Sequence, residues 1–273
     1  MIARAQFSTA LIAWLLLSPG PTTSFAQEPA DQSVQVPAPE TKRSNRFYHY
    51  SIWGAFVNRV FEGFLPCSEL KENGDVGLGS YTRLAGEMVM LDGVPYKIVE
   101  SGKVSVADDS DLLVYANATH FTAEDGYPIP EVSDYEMLRD IIGRRLPSRN
   151  YFYAFKVHGK FSKLKCGGLA EQKPPFDTGL EVLIPNRPVF DAENVSGTMV
   201  GFFCPTFIGD INVAGFHMHF ISDDRTFGGH VMELQGNDLN VEVDRMTEYT
   251  FVLPESKSFE NVEFDKTFQY KQK

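Results

Sequence analysis

The stretch Gly215-Phe216-His217-Met218-His219-Phe220 constrains this chain more than any other. Side chains along a strand alternate between two faces, so His217 and His219 share one face while Phe216, Met218 and Phe220 share the other. The apolar face packs into a core, and the histidine face then needs polar partners or a ligand. A third histidine follows at Gly229-His230-Val231, beyond the polar tip Ser222-Asp223-Asp224-Arg225. A hairpin centred on Asp224 and Arg225 sets His219 opposite His230. Opposed Cβ atoms lie about 5 Å apart and diagonal ones about 7–8 Å. From those positions His217, His219 and His230 can reach one ion with metal–nitrogen distances of about 2.0–2.1 Å. Three neutral imidazoles that leave coordination positions open are a donor set for Zn2+. A slip of one residue in the turn would undo the arrangement. His49, His120 and His158 are isolated and are expected to be ordinary structural histidines.

The rest of the chain can supply the core this hairpin needs. Of 273 residues, 43% are hydrophobic and 13% aromatic, too apolar for a disordered protein. The net charge of -11, with no run of Lys or Arg, argues against binding to nucleic acid or anionic lipid. Residues 1–26 read as a secretory signal peptide. Arg4 precedes the apolar run Ala10 to Leu17, and Ser24-Phe25-Ala26 offers small residues at a cleavage site. That run is far shorter than the roughly 20 residues a membrane span requires. Residues 27–45, with Pro29, Pro37 and Pro39, read as a flexible leader. The mature protein is expected to be secreted or periplasmic and not held in a membrane. In such an oxidising compartment two of Cys67, Cys166 and Cys204 have the opportunity to pair.

Trp53, Phe56, Val57, Val60, Phe61 and Phe64 recur at helical spacing, which predicts a first helix closed by Gly63 and Pro66. Asp92-Gly93 is a tight-turn signal between strands Glu87–Leu91 and Pro95–Val99, and a β-meander through Tyr115 follows naturally. Ser133 and Glu136 form a capping-box pattern ahead of a helix from Asp134 to Arg145. Strands are predicted at Tyr151–Val157, Thr198–Phe203, Ile211–Ile221, Gly229–Leu234, Leu239–Val243 and Tyr249–Leu253. The class is α+β, rich in antiparallel sheet. A metal site of this kind also needs a nearby carboxylate for proton transfer. Glu87, Glu233, Glu242 and Asp244 all sit on strands, and spacing alone ties none of them to the histidines.

With these residues in hand the chain resembles the α-acetolactate decarboxylases. The matching stretches include Gly74-Asp75-Val76-Gly77-Leu78-Gly79, Leu84-Ala85-Gly86-Glu87, Leu146-Pro147-Ser148-Arg149-Asn150-Tyr151, Gly197-Thr198-Met199-Val200-Gly201-Phe202 and both histidine segments, in the family's order. The resemblance implies two sub-domains, residues 46–178 with a mixed seven-stranded sheet and residues 179–266 with a smaller antiparallel sheet carrying the metal site. It implies a homodimer, zinc on His217, His219 and His230, and a catalytic role for Glu87. The implied substrate is a small 2-hydroxy-3-keto acid, acetolactate, converted to acetoin and carbon dioxide. In that chemistry the metal chelates the hydroxy-ketone and stabilises the enediolate left when carbon dioxide departs.

Two departures stand out. Gly167, in Lys165-Cys166-Gly167-Gly168-Leu169, occupies the position where the family carries an active-site arginine. Lys165, on the same strand face, is the candidate substitute. The family's late glutamate also has no counterpart in Asp265-Lys266-Thr267-Phe268-Gln269-Tyr270. These departures leave open a non-catalytic or substrate-shifted zinc-binding relative. Cupin-type oxygenases also use H-x-H, but they normally place the last histidine much further along the chain.

Overall fold

The computed structural model describes residues 45–268. The expected signal peptide and almost all of the leader lie outside these residues. Strand β1 (Arg46–Tyr50) leads into helix α1 (Trp53–Val57), then β2 (Leu65–Pro66) and α2 (Cys67–Glu72). The next strands are β3 (Val76–Tyr81), β4 (Glu87–Leu91), β5 (Val94–Ile98), β6 (Val104–Val106), β7 (Leu112–Thr119) and β8 (Asp125–Val132). Helix α3 (Tyr135–Arg145) precedes the long strand β9 (Phe152–Gly167), and the short α4 (Leu180–Leu183) precedes β10 (Val189–Cys204). The chain continues through β11 (Gly215–Ser222), β12 (Gly228–Met246), β13 (Glu248–Val252) and α5 (Lys257–Glu260).

Two sheets result, and together they give the α+β architecture that the sequence implied. The first runs β13-β1-β7-β3-β4-β5-β6, with the two-residue β2 attached to β7. It is mixed because β1 and β13 are parallel while its other pairs are antiparallel. The second is antiparallel, in the order β11-β10-β9-β12-β8, and β11 also pairs with β12. The sheets do not divide at residue 178. Strands β8 and β9 precede that point yet belong to the second sheet, and β13 follows it yet belongs to the first.

Local chemistry explains most elements. The β4–β5 hairpin pairs Leu91 with Val94, which leaves Asp92 and Gly93 as the turn. Both have positive φ, 51° and 77°, as this tight turn requires. Helix α3 is capped by Asp134, whose carboxylate accepts from the Met137 N–H at 2.7 Å. The cap is therefore one residue later than the Ser133 expected, and Ser133 instead donates to Asp134 at 2.8 Å. Tyr135, Leu138 and Ile142 form the buried stripe of α3. The helix stops at Leu146, which is extended as the residue before Pro147 must be.

The first helix is shorter than its spacing predicts. It ends at Val57 because Arg59 turns to a φ of 67°, and Val60 and Phe61 are buried from irregular backbone. Gly63 passes so close to β7 that a Cβ there would stand 2.1 Å from the Leu113 carbonyl oxygen. The periodicity reported burial correctly but not conformation. The meander also ends earlier than expected. β3 to β6 are sequential neighbours, whereas β7 returns to pair with β3 and β1. Gly229–Leu234 and Leu239–Val243 are parts of one 19-residue strand interrupted by bulges near Gly236 and Asn237. Ile211 lies outside the strand that carries His217. Cys67, Cys166 and Cys204 are all buried free thiols, so no pair forms among them.

Candidate metal centre between the two sheets

The hairpin of β11 and β12 has the register that its sequence implied. His219 pairs with His230, Phe220 with Gly229 and Ile221 with Gly228. Phe216, Met218 and Phe220 are buried in the core beneath. The three imidazoles turn to the other side, with ring centroids 5.0, 5.0 and 5.2 Å apart. One nitrogen from each lies within 4.8 Å of the others, so the set can hold one metal ion.

The ring contacts favour a cation at that point. The Nε2 atoms of His217 and His219 are 3.2 Å apart. A tetrahedral ion with metal–nitrogen bonds of about 2.0–2.1 Å separates its ligand nitrogens by ~3.3 Å. The Nδ1 of His219 donates to the Met88 carbonyl at 2.9 Å, which fixes its tautomer and leaves Nε2 as the free lone pair. Burial holds His217 and His230 well below the ordinary imidazole range and lowers His219 to about 4. The Arg187 guanidinium adds to the lowering in all three. All three rings are therefore neutral donors near pH 7, the form a metal requires.

Glu87 comes from the other sheet. As the first residue of β4 it is buried against the histidines, with Oε2 3.7 Å from His219 Nε2. Its Oε1 accepts from the Leu169 N–H at 3.3 Å. Burial pushes the carboxyl up to about 7, although Arg187 and the Leu169 N–H pull in the opposite direction. Glu87 is the one carboxylate among the described residues that line this pocket. The other acids considered lie elsewhere. Glu233 pairs with Lys165 at 3.0 Å, Glu242 with Lys156 at 3.4 Å, and buried Asp244 accepts from the Thr122 N–H. Lys165 faces an open groove with Glu233, so it does not replace an arginine in this pocket. His49, His120 and His158 also stay outside, bonded to Tyr249, the Glu72 carbonyl and Asp223 respectively.

Aromatic walls close the site. Trp53, Phe56 and Tyr115 line it with Leu169 and Val213, and the Trp53 indole donates to the Phe268 carbonyl at 2.8 Å. Arg187 lines it too. Sequence reasoning missed Arg187, which lies in the irregular segment Pro185-Asn186-Arg187-Pro188 with no periodic pattern. The only trace of it is Pro188, which biases the residue before it toward extended backbone but gives no direction.

Known proteins share this fold. The family model for alpha-acetolactate decarboxylase matches residues 47–266. An alpha-acetolactate decarboxylase of Methanosarcina mazei is 35% identical over 234 residues, covering 86% of this chain and 81% of the relative. One of Brevibacillus brevis is 34% identical over 264 residues, covering 92% and 89%. The crystal structure of alpha-acetolactate decarboxylase from Bacillus subtilis strain 168 aligns with a TM-score of 0.78 at 30% identity, covering 81% of this chain and 94% of that one. The chain therefore belongs to the alpha-acetolactate decarboxylase family, and its general activity is that of a decarboxylase, a lyase.

Proposed function

We propose that this chain releases carbon dioxide from 2-acetolactate to give acetoin, with zinc held by His217, His219 and His230. The observation that carries the proposal is the meeting of three neutral imidazoles with one buried carboxyl, that of Glu87, in a single walled pocket. A divalent ion bound there would supply a sink for negative charge near the hydroxyl and ketone oxygens of the substrate.

The chain's own residues account for the remaining steps. The bond between the carboxylate carbon and the carbinol carbon breaks, and its electron pair stays with the carbinol carbon, delocalised into the neighbouring ketone. One proton must then arrive at carbon. The Glu87 carboxyl, buried on the side facing the histidines, is the group placed to carry that proton. The Leu169 N–H fixes its orientation. Trp53, Phe56 and Tyr115 limit water around the electron-rich carbon, which leaves Glu87 as the local proton source.

The test is direct. Zinc-loaded protein is given racemic acetolactate and acetoin is measured. Turnover that vanishes in His219→Ala supports the reading, while bound zinc without acetoin favours the non-catalytic relative. The proposal extends to export and to a homodimer. Cleavage after Ala26, read by N-terminal sequencing of native material, and a mass in solution twice that of the chain would support those two parts.

A further inference from the structure

The pocket must accept an anion. Its histidines are neutral and its one carboxyl is acidic, so a carboxylate needs a cationic partner besides any metal. Among the described residues that line the pocket, Arg187 is the one Lys or Arg.

Its route into the site runs over Gly167. Gly167 lies opposite Val189 on one neighbouring strand and opposite His230 on the other. The Gly168 N–H donates to the Pro188 carbonyl at 3.2 Å, which holds the Arg187 segment against the end of β9. A Cβ built on Gly167 would stand 3.1 Å from both Cδ and Nε of Arg187 and 2.8 Å from Met232 Sδ. Any side chain at 167 would therefore share its space with the arginine stem. The field of the guanidinium reaches Glu87 and all three histidines. A planar guanidinium in that place presents paired N–H donors that match a carboxylate.

We infer that Arg187 binds the substrate carboxylate, and that Gly167 is small in order to admit it. The charge that the family resemblance assigns to position 167 is thus delivered from the start of the adjacent strand. This inference rests on the proposed reading of the pocket as a site for a 2-hydroxy-3-keto acid.

Calorimetric binding to the zinc-loaded protein tests it with two probes. 2-Hydroxy-2-methylbutanoate carries the carboxylate and hydroxyl but no ketone, so it cannot decarboxylate. Acetoin carries the hydroxyl and ketone but no carboxylate. Arg187→Gln should weaken the hydroxy acid by roughly a hundredfold while acetoin changes less than about twofold. Arg187→Lys keeps the charge, loses the paired geometry and should weaken the acid by about tenfold. Adding Gly167→Arg to Arg187→Gln should restore much of the acid affinity. Unchanged acid affinity in Arg187→Gln overturns the inference. Parallel loss of both probes or of zinc also overturns it, since the residue would then only prop the site. Native zinc protein that binds neither probe and forms no acetoin would instead remove the underlying reading of the pocket.

Discussion

The Nδ1 of His219 donates to the carbonyl oxygen of Met88 at 2.9 Å, and this single bond joins β11 of the second sheet to β4 of the first. It orients a ligand of the candidate metal centre and places Glu87, the residue before Met88, beside it. Removing the ring should remove both effects. His219→Ala is expected to lose stoichiometric zinc on dialysis, and it removes the His219 bond to the Met88 carbonyl. Losing one such hydrogen bond costs on the order of 0.5–1.5 kcal/mol. Elemental analysis and denaturant unfolding of metal-free protein measure the two effects separately. Normal zinc content in this variant would contradict the assignment.

Glu87 should separate chemistry from metal binding. Glu87→Gln keeps the size and can still accept from the Leu169 N–H, but it cannot exchange a proton at neutral pH. Zinc should remain at one equivalent while acetoin formation falls by about 10²–10⁴-fold, the usual contribution of a positioned proton donor. Turnover at the native rate would take Glu87 out of the proton transfer.

Position 167 yields an outcome opposite to that expected from the sequence. Read alone, Gly167 looks like a lost arginine, and Gly167→Arg looks like a repair. In the fold its space already holds the stem of Arg187 and the Met232 sulfur. The single substitution crowds two arginines at one point and should lower acetoin formation, not raise it. The measurement is kcat/KM for acetolactate in both proteins. A single Gly167→Arg variant with higher kcat/KM than native would show that the pocket lacks a guanidinium.

The same contrast shows what could be read in advance. The register of the histidine hairpin was legible because alternation fixes faces and the polar tip fixes the turn, and His219 does oppose His230. Asp92-Gly93 was legible for the same reason, because a two-residue turn needs positive φ at both positions. The extent of β12 was not legible. Gly236-Asn237-Asp238 carries turn chemistry, with Asp238 at a φ of 53°, but the chain uses it for a bulge within one strand. Glu87 could not be tied to the histidines by spacing because the tie runs between two sheets. Arg187 could not be found at all, since an irregular backbone gives no period from which to infer a direction.

A last prediction concerns His49, outside the metal centre. It is fully buried on β1 among the rings of Phe47, Tyr115 and Tyr249. The Asn212 amide donates to the Tyr249 hydroxyl at 3.0 Å, and that hydroxyl is hydrogen-bonded to Nδ1 of His49 at 2.6 Å. Burial lowers the pKa of the ring from 6.5 to about 3. In the unfolded chain the ring binds its proton near pH 6.5. The unfolded state thus holds more protons throughout the window from about 6.5 down to about 3. Stability contributed by the neutral ring is complete above that window and is lost as pH falls through it, a change on the order of a few kcal/mol. His49→Phe removes the titration while preserving much of the volume. It also removes the hydrogen bond between His49 and the Tyr249 hydroxyl, so the variant should be less stable than native at pH 7. The gap should narrow steadily toward pH 4. Urea unfolding of both proteins across that range reads the difference directly, and parallel curves would mean that the native ring does not resist protonation.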